Sequence, residues 1–285
     1  MNQLSLARRA QIVKALVEGN SVRATCRLTG ASKNTVIKLL VDLGEMCSTY
    51  QDHKLRNIVT ERVQCDEIWS FVGAKRKNVL RGAKGAGDIY TWTAMATDSK
   101  LMISWLVGRR NTSSARHFMA DLESRLARRV QLTTDGFYAY PGAVDAAFGS
   151  DVDYGTITKI YGRLAGDERT YSPPVCIGAI KEVQTGDPDP DHISTSFVER
   201  QNLTMRMGMR RFTRLTNAFS RKVENHAHAV ALHFMHYNFC RAHTTLTKAH
   251  PRRYPVTPAM AAGLTDHVWT VEEMCALLDP TRLLQ

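Results

Sequence analysis

The spacing of apolar residues changes along the chain, and each change predicts a different kind of element. In residues 5–45 the spacing is helical: Ile12, Val13, Leu16 and Val17 share one face of a first helix that stops at Gly19-Asn20. Ser21 caps a second helix, SVRATCRLTG, with Val22, Cys26 and Leu28 turned inward. Gly30 marks the turn, and Ser32 caps a third helix anchored by Val36, Ile37, Leu39 and Leu40. So tight a succession has the length pattern of a helix-turn-helix, whose last helix would offer Ser32, Lys33, Asn34, Thr35 and Lys38 to a DNA groove. A plain three-helix bundle with a polar face is the alternative. The nine Lys and Arg against four Asp and Glu in residues 1–56 favour DNA. Residues 1–47 are therefore expected to form an all-α recognition domain.

Residues 48–60, STYQDHKLRNIVT, are polar and weakly patterned and read as a linker. After them the period drops to two. VQCDEIWSFVG is a strand; DIYTWTAMATDS and LMISWLVGRR make a hairpin around Asp98-Ser99-Lys100. SSARHFMADLESRLARR is an amphipathic helix capped by Ser113 or Ser114, VQLTTD a strand, FYAYPGAVDAAFG a short helix from near Pro141, and VDYGTITKIYG a further strand. Three antiparallel strands, helix, strand, helix and strand is the order of a ribonuclease-H-like core, an α/β fold with a mixed sheet and flanking helices, expected over residues 61–242. Residues 162–192, broken by Pro173-Pro174 and Asp187-Pro188-Asp189-Pro190, read as a surface insertion. Helices are expected at 194–209 and 217–242. A helical tail, 243–285, would hold a short helix at 257–262 and a last one capped by Thr270 with Glu273 three residues on.

The formal net charge of +11 on 285 residues suits a polyanionic partner and salt-dependent binding. Six cysteines show no pairing at zinc spacing and no disulfide framework, which suggests buried thiols in a reducing compartment. No signal sequence or uncharged membrane-length run is apparent, so a cytoplasmic location and no membrane partner are expected.

Three acids carry the chemistry. Asp66 and Asp135 lie on predicted strands, Asp135 at a strand end beside Gly136, where an α/β sheet places its binding crevice. Alternation puts Asp66 and Glu67 on opposite faces, so one of them is expected at the site, and Asp66 is chosen. Glu199 opens a helix rich in arginine, with Asn202 and Arg206 on nearly the same face and Arg210, Arg211 and Arg214 extending the positive surface toward phosphates. Three converging carboxylates repel one another unless a metal neutralises them. Two Mg²⁺ ions suit hard oxygen ligands and phosphodiester chemistry, with Mn²⁺ a possible substitute. The histidines at 226, 228, 233, 236 and 243 sit among apolar residues and read as core, and Asp88 and Asp98 as turn or strand-edge acids.

The blocks CDEIWSFVGAKRKN, ATDSKLMISWLVGRR, TTDGFYAY, FVERQNLTMRMGMRRFTRLTNAFSRK and HYNFCRAHTTL, with TPAMAAGL, resemble the DDE transposases of prokaryotic insertion sequences, most closely the IS-one family. The resemblance covers residues 61–262. It implies a ribonuclease-H-like fold, Mg²⁺, catalytic Asp66, Asp135 and Glu199, and a basic Arg206 seven residues after the glutamate. The implied substrates are double-stranded DNA, as the element's terminal inverted repeats and the target, joined by a homo-oligomer near the nucleoid with no small-molecule substrate. A structure-selective nuclease and a catalytically inactive DNA-binding regulator are the rival readings.

Overall fold

The computed structural model describes residues 4–79, 85–162, 175–213 and 218–279. Its first part is three helices, α1 (Leu6–Val17), α2 (Val22–Thr29) and α3 (Lys33–Lys54). Ser5, Ser21 and Ser32 cap them, each accepting a hydrogen bond from the backbone N–H three residues on, and Gly30 ends α2 with φ 69°. Two expectations fail here. Residues 48–54 continue α3 instead of forming a linker, because Cys47 and Gln51 supply a buried face to the polar run. Leu28, expected inside, is 65% exposed.

The central sheet is mixed and has six strands: β1 (Arg62–Val72), β2 (Gly87–Ala96), β3 (Met102–Gly108), β4 (Gln131–Asp135), β5 (Asp153–Gly162) and β6 (Val175–Thr185). They lie in the order β3-β2-β1-β4-β5-β6. The first three are antiparallel, β1, β4 and β5 are parallel, and β6 returns antiparallel to β5. This order is consistent with a ribonuclease-H-like core. Strand β6 corrects the reading of residues 162–192 as unpatterned: 175–185 form an edge strand. Nearly all of its residues are exposed, so no burial imposed the alternation that reveals a strand in sequence.

Helices cover both faces of the sheet. On one, α4 (Thr112–Glu123) and α5 (Tyr140–Phe148) close over Trp92, whose ring packs on Phe118 and Tyr140. Asn111, not Ser113 or Ser114, caps α4. On the other lie α6 (Ser196–Gly208) and α7 (Val223–Met235), the latter running into a π turn, His236–Cys240. Helix α7 begins later than the sequence suggested. His226 meets Ser70 of β1 at 3.2 Å, and Trp105 of β3 stacks on Phe234 at 5.1 Å.

One continuous core runs from Ile12 and Leu43 through the sheet to Met274. A buried polar network stitches it: Gln51 donates to Ala231 O, and Asn238 donates to Gln51 Oε1 and to Met102 O while accepting from Met102 N. Gly44 lies so close to α7 that a Cβ there would fall 2.6 Å from His228 Cβ and 2.7 Å from its carbonyl oxygen. Beyond α7 come α8 (Thr244–Ala249), α9 (Pro258–Ala261) and α10 (Val271–Ala276). The expected capping box of Thr270 and Glu273 starts α10, and Arg9 pairs with Asp279 at 3.0 Å, tying the tail to α1. Among the described residues no helix is long and apolar enough to cross a membrane.

Candidate active site

Register brings the two aspartates together. The parallel ladder pairs Arg62 with Gln131, Val63 with Leu132 and Gln64 with Thr133. Carried two residues further, that register sets Asp66 beside Asp135, on the face that Gln64 turns toward α6. Their separation in sequence is bridged by one parallel crossover through β2, β3 and α4.

Helix α6 is fixed over the same strand by its own polar groups. Gln64 Oε1 accepts from Phe197 N at 2.8 Å and Val198 N at 3.2 Å, so a strand residue satisfies two free donors in the first turn of the helix. One turn on, Asn202 Nδ2 donates to Asp66 Oδ2 at 2.8 Å. These two contacts aim the first turn of α6 at the aspartates. Glu199 lines the same pocket of about 620 Å³ as Asp66 and Asp135, together with Arg110, Tyr138, Lys159 and Tyr161. Its carboxylate is held at both oxygens: Thr195 Oγ1 donates to Oε1 at 2.6 Å, and Lys159 of β5 forms an ion pair with Oε2. Burial pulls the Lys159 ammonium down, but the Glu199 contact outweighs it and leaves the lysine above its ordinary value.

Glu67 corrects the alternation argument. It does face the other side of the sheet, opposite Trp92 and toward α5, yet carboxylate oxygens of Asp66, Glu67 and Asp135 all lie within 4.8 Å of one another. Strand β4 ends at Asp135, so no further backbone separates the two faces there. Arg110, just before α4, occupies the gap: its Nη2 is 3.2 Å from Asp135 Oδ2 and 3.6 Å from Glu67 Oε2, with its guanidinium 3.9 Å from the centre of the Phe137 ring. Glu199 is outside that closest group of acids.

Crowding shows in the acidities. Burial, with the charges of Asp135 and Glu199, pushes Asp66 up to about 6 against the pull of its hydrogen bonds from Glu67 N and Asn202. Burial and the Asp135 charge push Glu67 up to about 8 against the pull of Arg110. Such a cluster is a poor place for bare negative charge and a good one for a cation. Its donors, all carboxylate oxygens, are those that Mg²⁺ and Mn²⁺ prefer.

The other predicted residues fall elsewhere. Ser32, Lys33, Asn34 and Lys38 are exposed at the start of α3 and Thr35 is half-buried; Lys38 pairs with Asp42 at 2.6 Å. Arg206 lies in the last turn of α6, and Arg210 and Arg211 in the 3-10 turn that follows. Arg214 lies outside the described residues. His226 and His233 are buried in the core and held neutral, burial lowering both to about 3. Asp98 accepts from Ser99 N in its own turn and from Thr60 Oγ1, and Asp88, in β2, accepts from Arg76 N. Sequence reasoning missed Gln64, Arg110 and Lys159. Lys159 alone left a trace, as a lone cation in an apolar strand.

The chain matches no family model and no curated protein. Among solved structures, a piggyBac transposase synaptic complex with hairpin DNA aligns with 96% of this chain and 69% of its own at 8% identity, with a TM-score of 0.44. The Mos1 strand transfer complex aligns with 54% of this chain and 59% of its own at 15% identity, with a TM-score of 0.24.

Proposed function

We propose that this chain is a DDE transposase that binds the terminal inverted repeats of an insertion sequence and catalyses Mg²⁺-dependent cleavage and strand transfer of DNA. The observation that carries this reading is the approach of Asp66 and Asp135 carboxylate oxygens to within 4.8 Å, with Glu199 in the same pocket on a helix that Gln64 and Asn202 tie to β1. Asp66, Asp135 and Glu199 would hold the metal, which when bound supplies an activated oxygen nucleophile and charge stabilisation at the leaving oxygen.

The chain's own residues prepare that chemistry. Asn202 fixes the orientation of Asp66 Oδ2, and Thr195 and Lys159 fix Glu199. Arg110 and Lys159 offset the carboxylate charge when no substrate is present and stand where they can turn to a phosphate. Exposed Tyr138 and Tyr161 flank the pocket mouth and exclude water on that side once DNA is seated. In this reading the first three helices form a helix-turn-helix, with Ser32, Lys33, Asn34, Thr35 and Lys38 meeting the element end, and Arg206, Arg210, Arg211 and Arg214 meeting phosphates. Joining two ends calls for a homo-oligomer, acting on DNA in the prokaryotic cytoplasm.

The test uses oligonucleotides that carry the inverted repeats flanking the gene, with Mg²⁺ and a supercoiled target. A transposase yields 3′-ends joined to target, a nuclease yields cuts without joints, and an inactive regulator yields bound but intact DNA. Either of the last two results overturns the proposal.

A further inference from the structure

A second cavity, of about 1000 Å³, lies between the first three helices and the segment that leaves α6. Its wall carries Arg23, Lys33, Arg210, Arg211, Arg221 and Lys222, and no Asp or Glu among the described residues lines it. None of the six takes part in an ion pair among the described residues. Arg211 is half-buried, its Nη1 donating to Ser220 Oγ, and burial without an acidic neighbour lowers it to about 10. Unpaired cations crowded on one wall repel one another, and a surface meant only for solvent intersperses acids among them. The floor is apolar, with Ile37, Phe219 and Leu232.

The walls are fixed against each other. Gly19, with φ 80°, sits so close to Gly208 that a Cβ would fall 2.7 Å from the Gly208 carbonyl oxygen. The cavity thus has a set distance from the acidic pocket, because α6 touches both: Glu199 lines the pocket and Gly208 lines the cavity. Nine residues of α-helix span about 14 Å at 1.5 Å each. Along duplex DNA that is about four base-pair steps of 3.4 Å.

Resting on the transposase reading, we infer that this groove holds the DNA backbone about four nucleotides from the bond placed at Asp66 and Asp135, with phosphates on the six cations and sugars against the apolar floor. A basic rim over an apolar floor also fits an acidic peptide. The spacing to the pocket and continuity with the exposed start of α3 favour DNA.

The test is fluorescence anisotropy of the full chain with a 30-base-pair mixed-sequence duplex over a salt series, for the wild type, R23Q/R221Q/K222Q and a control, K248Q/R252Q/R253Q. The groove variant is expected to lower the slope of log affinity against log salt by about 2 to 3, from about 0.9 per phosphate contact, with the control unchanged. Acetylation of wild-type Lys33 and Lys222 is expected to fall when the duplex is added, which needs no variant to fold. A wild type that binds no DNA sinks the transposase reading. A wild type that binds, with the groove variant matching it in slope and both lysines still acetylated, sinks the groove alone, as does selective loss of poly-glutamate binding.

Discussion

The two cavities touched by α6 have opposite electrostatics. At its first turn Asp66, Asp135 and Glu199 share a pocket with Arg110 and Lys159, with Glu67 across the sheet within reach of Arg110; near its last turn six cations line a wall that holds no acid among the described residues. The acidic site spends its hydrogen bonds on orientation and holds carboxyls that keep their protons more tightly than usual, as crowded negative charge without a cation does. The basic groove spends almost none, the mark of a place that waits for an anion. The thirteen-residue helix α6 touches both, and in the proposed function it is the ruler between the metal site and the grip on the DNA backbone.

The harshest way to break this contrast is at the acids. Asp66→Ala, Asp135→Ala and Glu199→Ala should each lower Mg²⁺-dependent cleavage by at least about 10³-fold, on the scale of losing a metal ligand and its charge stabilisation. Duplex affinity, measured by anisotropy, should change less than about threefold, since the groove is intact. Glu67→Gln should keep cleavage within about tenfold, because Glu67 faces α5 and Arg110 rather than α6.

The packing of the helices, first α3 on α7 and then α6 on β1, is the next target. Gly44→Ala drives a Cβ into the backbone of α7 and should lower the melting temperature by the equivalent of about 1–3 kcal/mol. Gln64→Ala removes the acceptor for two N–H groups of α6 and should lose about 1–2 kcal/mol, with cleavage falling further than stability as Glu199 loosens.

Acidity gives a gentler lever. Asp66 and Glu67 bind protons more tightly folded than unfolded, so the metal-free protein should lose stability as pH rises from the unfolded carboxylate range near 4 through about 6 and then about 8. Melting curves of Glu67→Gln should flatten the upper part of that fall and stand above wild type at pH 9 but not at pH 4. A fall of the same slope in the variant would remove Glu67 from the cluster. Lys159→Met, the smallest effect, should raise apparent Mg²⁺ affinity a few-fold by freeing Glu199, read as a larger Mg²⁺-induced rise in melting temperature.

Most of this architecture was legible because burial leaves period. Strands β1 to β5 each have one or both faces covered, and Ser21, Gly30, Ser32 and the Thr270–Glu273 box punctuate the helices as their chemistry requires. Strand β6 escaped because solvent meets both its faces. The last turns of α3 escaped because Gln51, a polar residue, is a core member bonded across to α7. Within the site, Asp135 was readable from its strand end and Asp66 from its place on one face of a strand. Glu67, Gln64, Arg110 and Lys159 were not, because their roles depend on where β4 stops and which strand α6 crosses, and only tertiary placement decides those.

The central claim, one divalent-cation site shared by Asp66, Asp135 and Glu199, is tested most directly by calorimetric Mg²⁺ titration of the wild type against Asp66→Asn, Asp135→Asn, Glu199→Gln and Glu67→Gln. The account predicts at least about tenfold weaker binding in each of the first three and near wild-type binding in the fourth. Binding that survives Glu199→Gln and collapses in Glu67→Gln would contradict it.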